Sequence, residues 1–217
     1  MYTPVSFREE RLDVLHGLIT AHPLGALVHQ DKDGWTADHL PFEIAAPTPE
    51  APFGTLRAHV ARANPLWRTA GVQQDSLVIF QGPHSYITPA WYAEKQESGK
   101  VVPTYNYALV HAHGPLRAIT DRAWLLALVE RLTARHEAQQ ATPWSVADAP
   151  AGYIDKLLAA IVGIEIPLTR LTGKWKLGQN RTAEDQSRMA AGLAASGMPG
   201  DAQALAALMT GKAYKQL

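Results

Sequence analysis

The alternation of apolar and polar positions predicts about six β-strands in this chain. Strand-like runs occupy residues 24–29, 35–44, 54–60, 76–81, 102–119 and 161–171. Turn formers at Asp31-Lys32-Asp33-Gly34 separate the first two runs, which favours an antiparallel hairpin. Because strands and helices do not alternate along the chain, the pattern is typical of an α+β fold that contains an antiparallel barrel.

Apolar residues at helical intervals predict a first helix over residues 7–21. Ser6 and Glu9 have the spacing of a capping box, and His22-Pro23 ends the pattern. Between this helix and the later ones, the prolines from Pro47 to Pro52 predict a surface loop.

Helices are also predicted between and after the later strands. A short helical turn is expected at residues 89–95, and Asp121 is placed to cap a helix that runs to about Ala138. Another helix is predicted at residues 153–159, and the last forty residues predict two helices broken at residues 196–200. We expect one domain over residues 1–181, with residues 182–217 as its helical extension.

Composition narrows the possible chemistry. The 217 residues include no cysteine, so a disulfide, a thiolate nucleophile and a zinc–thiolate cluster are excluded. Twenty basic residues balance twenty acidic ones, so nucleic-acid binding would need a local basic patch. No apolar run approaches the roughly 20 residues that span a bilayer. The N-terminal MYTPVSFREER lacks the form of a secretory signal, so we expect a cytoplasmic protein.

Several polar–aromatic segments interrupt the strand pattern. They are His39-Leu40-Pro41-Phe42, His59 to Trp67, Gly82 to Ile87, Val102 to Tyr107, His111 to Gly114, and Lys174 to Arg181. Together, at this spacing, they resemble the PaiB-like family of FMN-binding negative transcriptional regulators over nearly the whole chain. His136-Glu137 and Pro143-Trp144-Ser145 also resemble that family, although helix packing suffices to explain the first pair.

The resemblance implies a split β-barrel like that of pyridoxamine 5'-phosphate oxidase. It also implies a homodimer with FMN in a groove shared by the two subunits. An isoalloxazine ring needs flat apolar walls and fixed donors, whereas its phosphate needs cations, hydroxyls or backbone N–H groups. Candidate ring contacts in the first half of the chain are His39, Leu40, Pro41, Phe42, His59 and Asn64. A proline in an edge strand leaves room for a ligand, but Phe42 as core and His59 as an ordinary barrel residue remain equally open.

Two further segments are candidates for the cofactor site. Tyr105 and Asn106 lie on opposite strand faces, where they could stack and fix a ring or simply pack in a sheet. Lys176, Gln179 and Arg181, beside Lys174, form the best local anion site, with a solvated turn or a nucleic-acid contact as the alternatives. The chain departs from the family at two positions, with Gly178 in place of the usual serine and Tyr105 in place of the usual tryptophan.

Histidine pairs could suggest a metal. His111 and His113 share one strand face, and His29, His39 or His84 could complete a site. Without a carboxylate at ligand spacing, a polar pocket lining is the better interpretation, so we expect no metal.

Three functions are compatible with these features. The first is a flavin-dependent repressor that binds DNA, a role that the resemblance alone implies. The second is an FMN-dependent oxidoreductase that takes electrons from a reduced nicotinamide to a small planar substrate. The third is a haem-handling protein.

Overall fold

The computed structural model describes residues 1–31, 33–69, 75–197 and 201–211. The strands are β1 (Arg8–Glu9), β2 (Leu24–Asp31), β3 (Gly34–Pro41), β4 (Glu43–Ala45), β5 (Thr55–Ala61), β6 (Ser76–Ile87), β7 (Thr104–Gly114), β8 (Arg117–Ile119), β9 (Ile161–Pro167) and β10 (Arg170–Lys176). The α-helices are α1 (Leu12–Ala21), α2 (Glu94–Glu97), α3 (Arg122–Glu137), α4 (Ala151–Ala159), α5 (Ala183–Ala195) and α6 (Ala202–Met209). Short 3-10 helices occupy Val5–Phe7, Pro65–Thr69, Pro89–Trp91 and Val146–Asp148.

The chain forms two compact units, each assembled from separated segments. The first comprises Met1–His22, Ile79–His111 and Leu171–Leu217, and the second comprises Pro23–Val78 and Ala112–Arg170. Within the described residues, no helix is both long and apolar enough to cross a membrane.

In the first unit, α1 supplies much of the core. Neighbouring strands follow the order β1-β10-β7-β6, and β1 pairs antiparallel with β10 through Arg8↔Lys174 and Glu9↔Gly173. The helix buries Leu15, Leu18 and Ile19. A Cβ on Gly173 would lie 2.4 Å from a Leu15 methyl carbon, so glycine is what allows this close packing.

The second unit is built on a hairpin and a four-stranded sheet. Strands β2 and β3 pair antiparallel from Leu24↔Pro41 to Asp31↔Gly34, which confirms the predicted hairpin, although Lys32 lies outside the described residues. The sheet has the order β4-β5-β9-β8 with antiparallel pairing. Helix α3 packs on β5 and β9 and buries Leu125, Leu128 and Leu132. Arg131 of the same helix also pairs with Glu43 of β4, so apolar packing and an ion pair together hold α3 on this sheet.

Most of the predicted helices after α1 are confirmed. Asp121 caps α3 by accepting a hydrogen bond of 2.7 Å from the backbone N–H of Trp124. Thr182 caps α5 through the N–H of Asp185. Helices α4 and α5 lie where the sequence pattern predicts them, and α6 follows the predicted break, of which residues 198–200 lie outside the described part of the chain.

The predicted capping box is wrong. Helix α1 begins at Leu12 with Arg11 as its N-cap, and Ser6 lies in a 3-10 helix instead. Glu9 is part of β1, and its carboxylate accepts hydrogen bonds from the backbone N–H groups of Glu10 and Arg11 and from the Arg11 guanidinium. The Glu9 carboxylate therefore stabilises the turn between β1 and α1, and it does not belong to a capping box.

Three predicted strands are each divided in the structure. The run 35–44 becomes β3 and β4, which pair with β2 and β5 respectively. The run 161–171 becomes β9 and β10, because beyond Pro167 the N–H of Leu168 bonds to Gly54 and that of Thr169 bonds to His113. The run 102–119 becomes β7 and β8, which are separated at Pro115. Conversely, β6 continues six residues beyond its predicted end at Gln81.

Candidate functional site

The residues that the sequence singles out form two clusters, one in each unit. The first unit holds Tyr105, Asn106, Lys176, Gln179 and Arg181. The second unit holds His39, Leu40, Pro41, Phe42, His59 and Asn64.

Lys176 is held at the end of β10 by two oxygen atoms of β7. Its ammonium group donates to the hydroxyl of Thr104 and, at 2.6 Å, to the backbone carbonyl of Tyr105. Burial lowers the pKa of Lys176, with an opposing effect of Tyr107 and a further lowering by the charge of Lys174. The ammonium is therefore fixed in position, and an anionic ligand would favour its charged form.

Two further cations lie on aromatic faces in the same unit. The Lys174 ammonium lies 5.4 Å from the ring centroid of Tyr107. The Arg181 guanidinium lies 4.9 Å from the ring centroid of Tyr92 and 3.8 Å from the Glu94 carboxylate. Lys174 also donates to the backbone carbonyl of Tyr2 at 3.1 Å. Lys174, Lys176 and Arg181, which we call the basic cluster, are therefore positioned cations of the kind that a phosphate site needs.

Asn106 provides a buried polar group whose donor is unused. Its side chain is 1% exposed, and Nδ2 has no hydrogen-bond partner among the described residues. Such an orphan donor is costly to bury and is a common feature of ligand sites. Gly178 lies near it, since a Cβ on that glycine would be 3.8 Å from Nδ2.

Gln179 is engaged with its own backbone turn. Its Nε2 donates to the carbonyl of Trp175 at 2.5 Å, and its Oε1 accepts from the N–H of Leu177 at 2.8 Å. Gly178, at φ +84°, occupies the left-handed region that this turn requires. The amide therefore shapes the loop between β10 and α5, and its predicted role as a direct cofactor ligand stays a prediction.

Two tyrosines present aromatic surface beside the basic cluster. Tyr86 and Tyr105 are 39% and 56% exposed, and their ring centroids lie 6.0 Å apart in an edge-to-face arrangement. Exposed aromatics of this kind suit a planar ligand or a second protein surface. Tyr105 thus points to solvent, whereas its neighbour Asn106 is buried, as strand alternation predicts.

In the second unit, Asp38 connects two of the polar candidates. Its carboxylate lies 2.7 Å from Nε2 of His29 and accepts a hydrogen bond of 2.7 Å from Nδ2 of Asn64. The Asn64 carbonyl in turn accepts from the N–H of Leu66. Asn64 therefore anchors the turn that leads into the 3-10 helix at Pro65–Thr69. No sequence signal singled out Asp38, which becomes visible only through the diagonal pairing of β2 with β3.

The His39–Phe42 segment alternates between solvent and core. Leu40 and Phe42 are buried, and Phe42 is fully so, which places its ring in the core rather than on an open wall. His39 and Pro41 are exposed. The ligand-accessible part of this segment is therefore His39 and Pro41.

His59 opens onto two adjoining cavities of the second unit. They have volumes of about 450 and 320 Å³ and share His59, Thr133 and Trp144 in their linings. Burial lowers the pKa of His59, and its Nδ1 has no hydrogen-bond partner among the described residues. His136 and Glu137 line the smaller cavity. Helix packing was a sufficient explanation of this pair from the sequence, and its likeness to the family is the signal that could have identified it as part of a site.

These groups fit the chemistry of a flavin mononucleotide. The basic cluster can balance the phosphate, and the exposed tyrosines offer flat surface for a ring. The residues that would hold the phosphate in this unit are therefore Lys174, Lys176 and Arg181.

Sequence comparisons agree with this chemistry. Residues 1–170 match the family model described as "Putative FMN-binding domain". The protein AN0679 of Emericella nidulans is 34% identical over 225 residues, covering 88% of this chain and 90% of that protein. The Bacillus subtilis "Protease synthase and sporulation protein PAI 2" is 29% identical over 220 residues and covers both chains completely.

Solved structures share the fold at low sequence identity. The FAD and haem binding protein of Mycobacterium smegmatis has a TM-score of 0.58 at 14% identity, over 89% of this chain and 82% of that one. The flavocytochrome Anf3 of Azotobacter vinelandii has a TM-score of 0.57 at 13% identity, over 82% and 74% respectively. The α+β split-barrel fold expected from the sequence is confirmed. The chain belongs to the PaiB-like family of FMN-binding split-barrel proteins, and its cofactor is FMN.

Proposed function

We propose that this protein is a homodimeric negative regulator of transcription whose activity depends on FMN bound through the basic cluster. The single observation that carries the cofactor part of the proposal is the position of Lys176. Its ammonium is fixed by Thr104 and Tyr105, yet burial and Lys174 both disfavour its charge. A phosphate dianion would remove that penalty.

Each residue of the basic cluster has a distinct task in this proposal. Lys176 provides a fixed charge, and Arg181 provides a planar fork of donors that is already oriented by Tyr92. Lys174, which donates to the backbone carbonyl of Tyr2 and lies beside Tyr107, adds a further positive charge. Bound FMN supplies redox-active chemistry, and the protein supplies its position and electrostatic surroundings.

The dimer is supported by the aromatic surface of the first unit. Tyr86 and Tyr105 expose large rings next to one another, and exposed Tyr is characteristic of interfaces. Sedimentation equilibrium with and without FMN tests this part. Replacing Tyr86 with serine is expected to shift the protein toward monomer, and Glu50→Ser serves as the control because Glu50 is exposed but not aromatic.

The regulatory role is supported by family membership and by the full-length similarity to the Bacillus subtilis sporulation protein. The test is a gel-shift series on genomic fragments at several salt concentrations, with oxidised and reduced FMN. We expect sequence-preferential binding that changes with the flavin state and is lost in Lys176→Met together with FMN. Lack of any sequence preference in both flavin states would refute the regulatory role and leave FMN binding intact.

An FMN-dependent oxidoreductase is the second candidate, favoured by the cavities around His59. A cavity of about 450 Å³ lies within the range of small-molecule sites. Stopped-flow spectra decide between the two candidates. Reduction of bound FMN by NADH or NADPH within the turnover time of an ordinary enzyme would support catalysis, and failure of both would exclude a nicotinamide-dependent reaction.

A further inference from the structure

The two cavities that meet at His59 have a composition unlike that of a phosphate site. The larger is aliphatic apart from His59, Thr133 and Trp144, with walls from α3, α4 and the β5 and β9 strands. Among the described residues, neither lining contains a lysine or an arginine, and the smaller cavity contains the carboxylate of Glu137. An anion placed here would be desolvated without a cationic partner, so these linings disfavour an anionic occupant.

Polar groups are few in the walls of the larger cavity. The imidazole of His59 lines both cavities. Thr133 contributes a hydroxyl to both cavities. A neutral imidazole nitrogen donates in one tautomer and accepts in the other, and a hydroxyl does both. The site can therefore match either a carbonyl or a phenolic O–H on its occupant.

Trp144 suggests the shape of the occupant. Its side chain is 46% exposed although it lines both cavities, and its backbone N–H donates to Glu137 at 3.0 Å, which fixes the main chain at this point. A partly exposed indole at the mouth of an apolar cavity favours a flat ring. Leu157, which is also exposed, continues the apolar rim.

We propose that the larger cavity binds a neutral planar quinone or its hydroquinone, with an oxygen substituent hydrogen-bonded to the imidazole of His59. The quinone carbonyl accepts from one tautomer, and the hydroquinone O–H donates to the other. Both members of the pair therefore fit one site. This binding is independent of the regulatory role, and no residue of the basic cluster lines either cavity.

The test is titration of the purified FMN-loaded protein with menadione, followed by calorimetry and by saturation-transfer NMR. Because the chain contains no cysteine, the quinone cannot alkylate a thiol. We expect saturable binding, weakened about tenfold by His59→Phe and largely retained by His59→Asn, whose amide preserves a hydrogen-bonding group. Trp144→Ala should also weaken binding, whereas Trp35→Ala, outside both linings, should not.

Three results would overturn the proposal. The first is absence of saturable menadione binding to the folded wild-type protein, with folding verified by circular dichroism. The second is equal affinity of wild type and His59→Phe. The third is loss of menadione binding when FMN is saturating, with full binding to the apoprotein, since the cavity would then hold the flavin ring itself. Failure of FMN binding in Lys176→Met with menadione binding intact would separate the two sites.

Discussion

Lys176 and Tyr105 are joined by a hydrogen bond of 2.6 Å between the ammonium nitrogen and the backbone carbonyl oxygen. The same ammonium also donates to the hydroxyl of Thr104, so two oxygen atoms of β7 orient the charge at the end of β10. The basic cluster is in consequence preorganised, which lowers the cost of binding an anion.

Removing the Lys176 charge should weaken FMN binding. A hydrogen bond to a charged group contributes about 1.5–3 kcal/mol, so Lys176→Met should raise the Kd for FMN by about tenfold to a hundredfold. Fluorescence titration measures the change. Lys156→Met is the matched control, because Lys156 is exposed on α4 and lines neither cavity. Equal losses in the two variants would contradict a specific role for Lys176.

The Asp38 network should be a stability determinant of the second unit. Asp38→Ala leaves both His29 and the Asn64 amide without their carboxylate, so we expect a loss of about 3 kcal/mol in the free energy of unfolding, measured by urea denaturation. Asp155→Ala breaks a pair with Arg122 whose side chains are 53% and 61% exposed, and it should cost less than about 1 kcal/mol. Similar losses would show that Asp38 is not an anchor.

Restoring the family serine at Gly178 should destabilise this particular chain. The backbone is in the left-handed region at φ +84°, and an added Cβ would approach the Met189 methyl to 2.5 Å. The conformation alone costs a non-glycine residue about 1–2 kcal/mol, measurable by thermal or urea unfolding. Gly178→Ala should cost a similar amount, so any gain in FMN affinity of serine over alanine isolates the hydroxyl. A fully stable serine variant would contradict the strained-turn interpretation.

Stability should fall as the solution becomes mildly acidic. Burial lowers the pKa values of His22, His59 and His113 below the ordinary 6.5, so the unfolded chain binds protons that the folded chain resists. This contribution is complete above pH 6.5 and is lost as pH drops from there through the folded-state values. The His59→Asn variant should show a shallower decline in urea unfolding between neutral and mildly acidic pH. An unchanged slope would argue against a neutral, desolvated His59.

The sequence pattern predicted the hairpin and the later helices because local signals define them. The side chains of Asp121 and Thr182 accept hydrogen bonds from backbone N–H groups at the starts of α3 and α5, and turn formers specify the β2–β3 connection. The sequence pattern predicts a first helix that begins before Leu12, because a capping-box spacing cannot reveal that Glu9 pairs with Gly173 in a strand. Local periodicity contains no information on such pairing between distant parts of the chain.

The sequence predicts which types of residue the candidate site contains, but it does not predict which partner each side chain contacts. The cations of the basic cluster are recognisable from their spacing alone. By contrast, Gln179 bonds to its own loop, Asn64 bonds to Asp38, and Phe42 enters the core. The cavity at His59 unites β5, α3 and Trp144, which are far apart along the chain. Only the folded arrangement shows that they meet.

The most direct test is a titration of the purified protein with FMN and with riboflavin, combined with sizing of the same sample. The account predicts a dimer that binds one FMN per chain with micromolar or tighter affinity, and binds riboflavin at least about tenfold more weakly because the phosphate interacts with charged donors. A monomer that takes up no FMN at micromolar concentration, or a protein that binds both flavins equally, would contradict it.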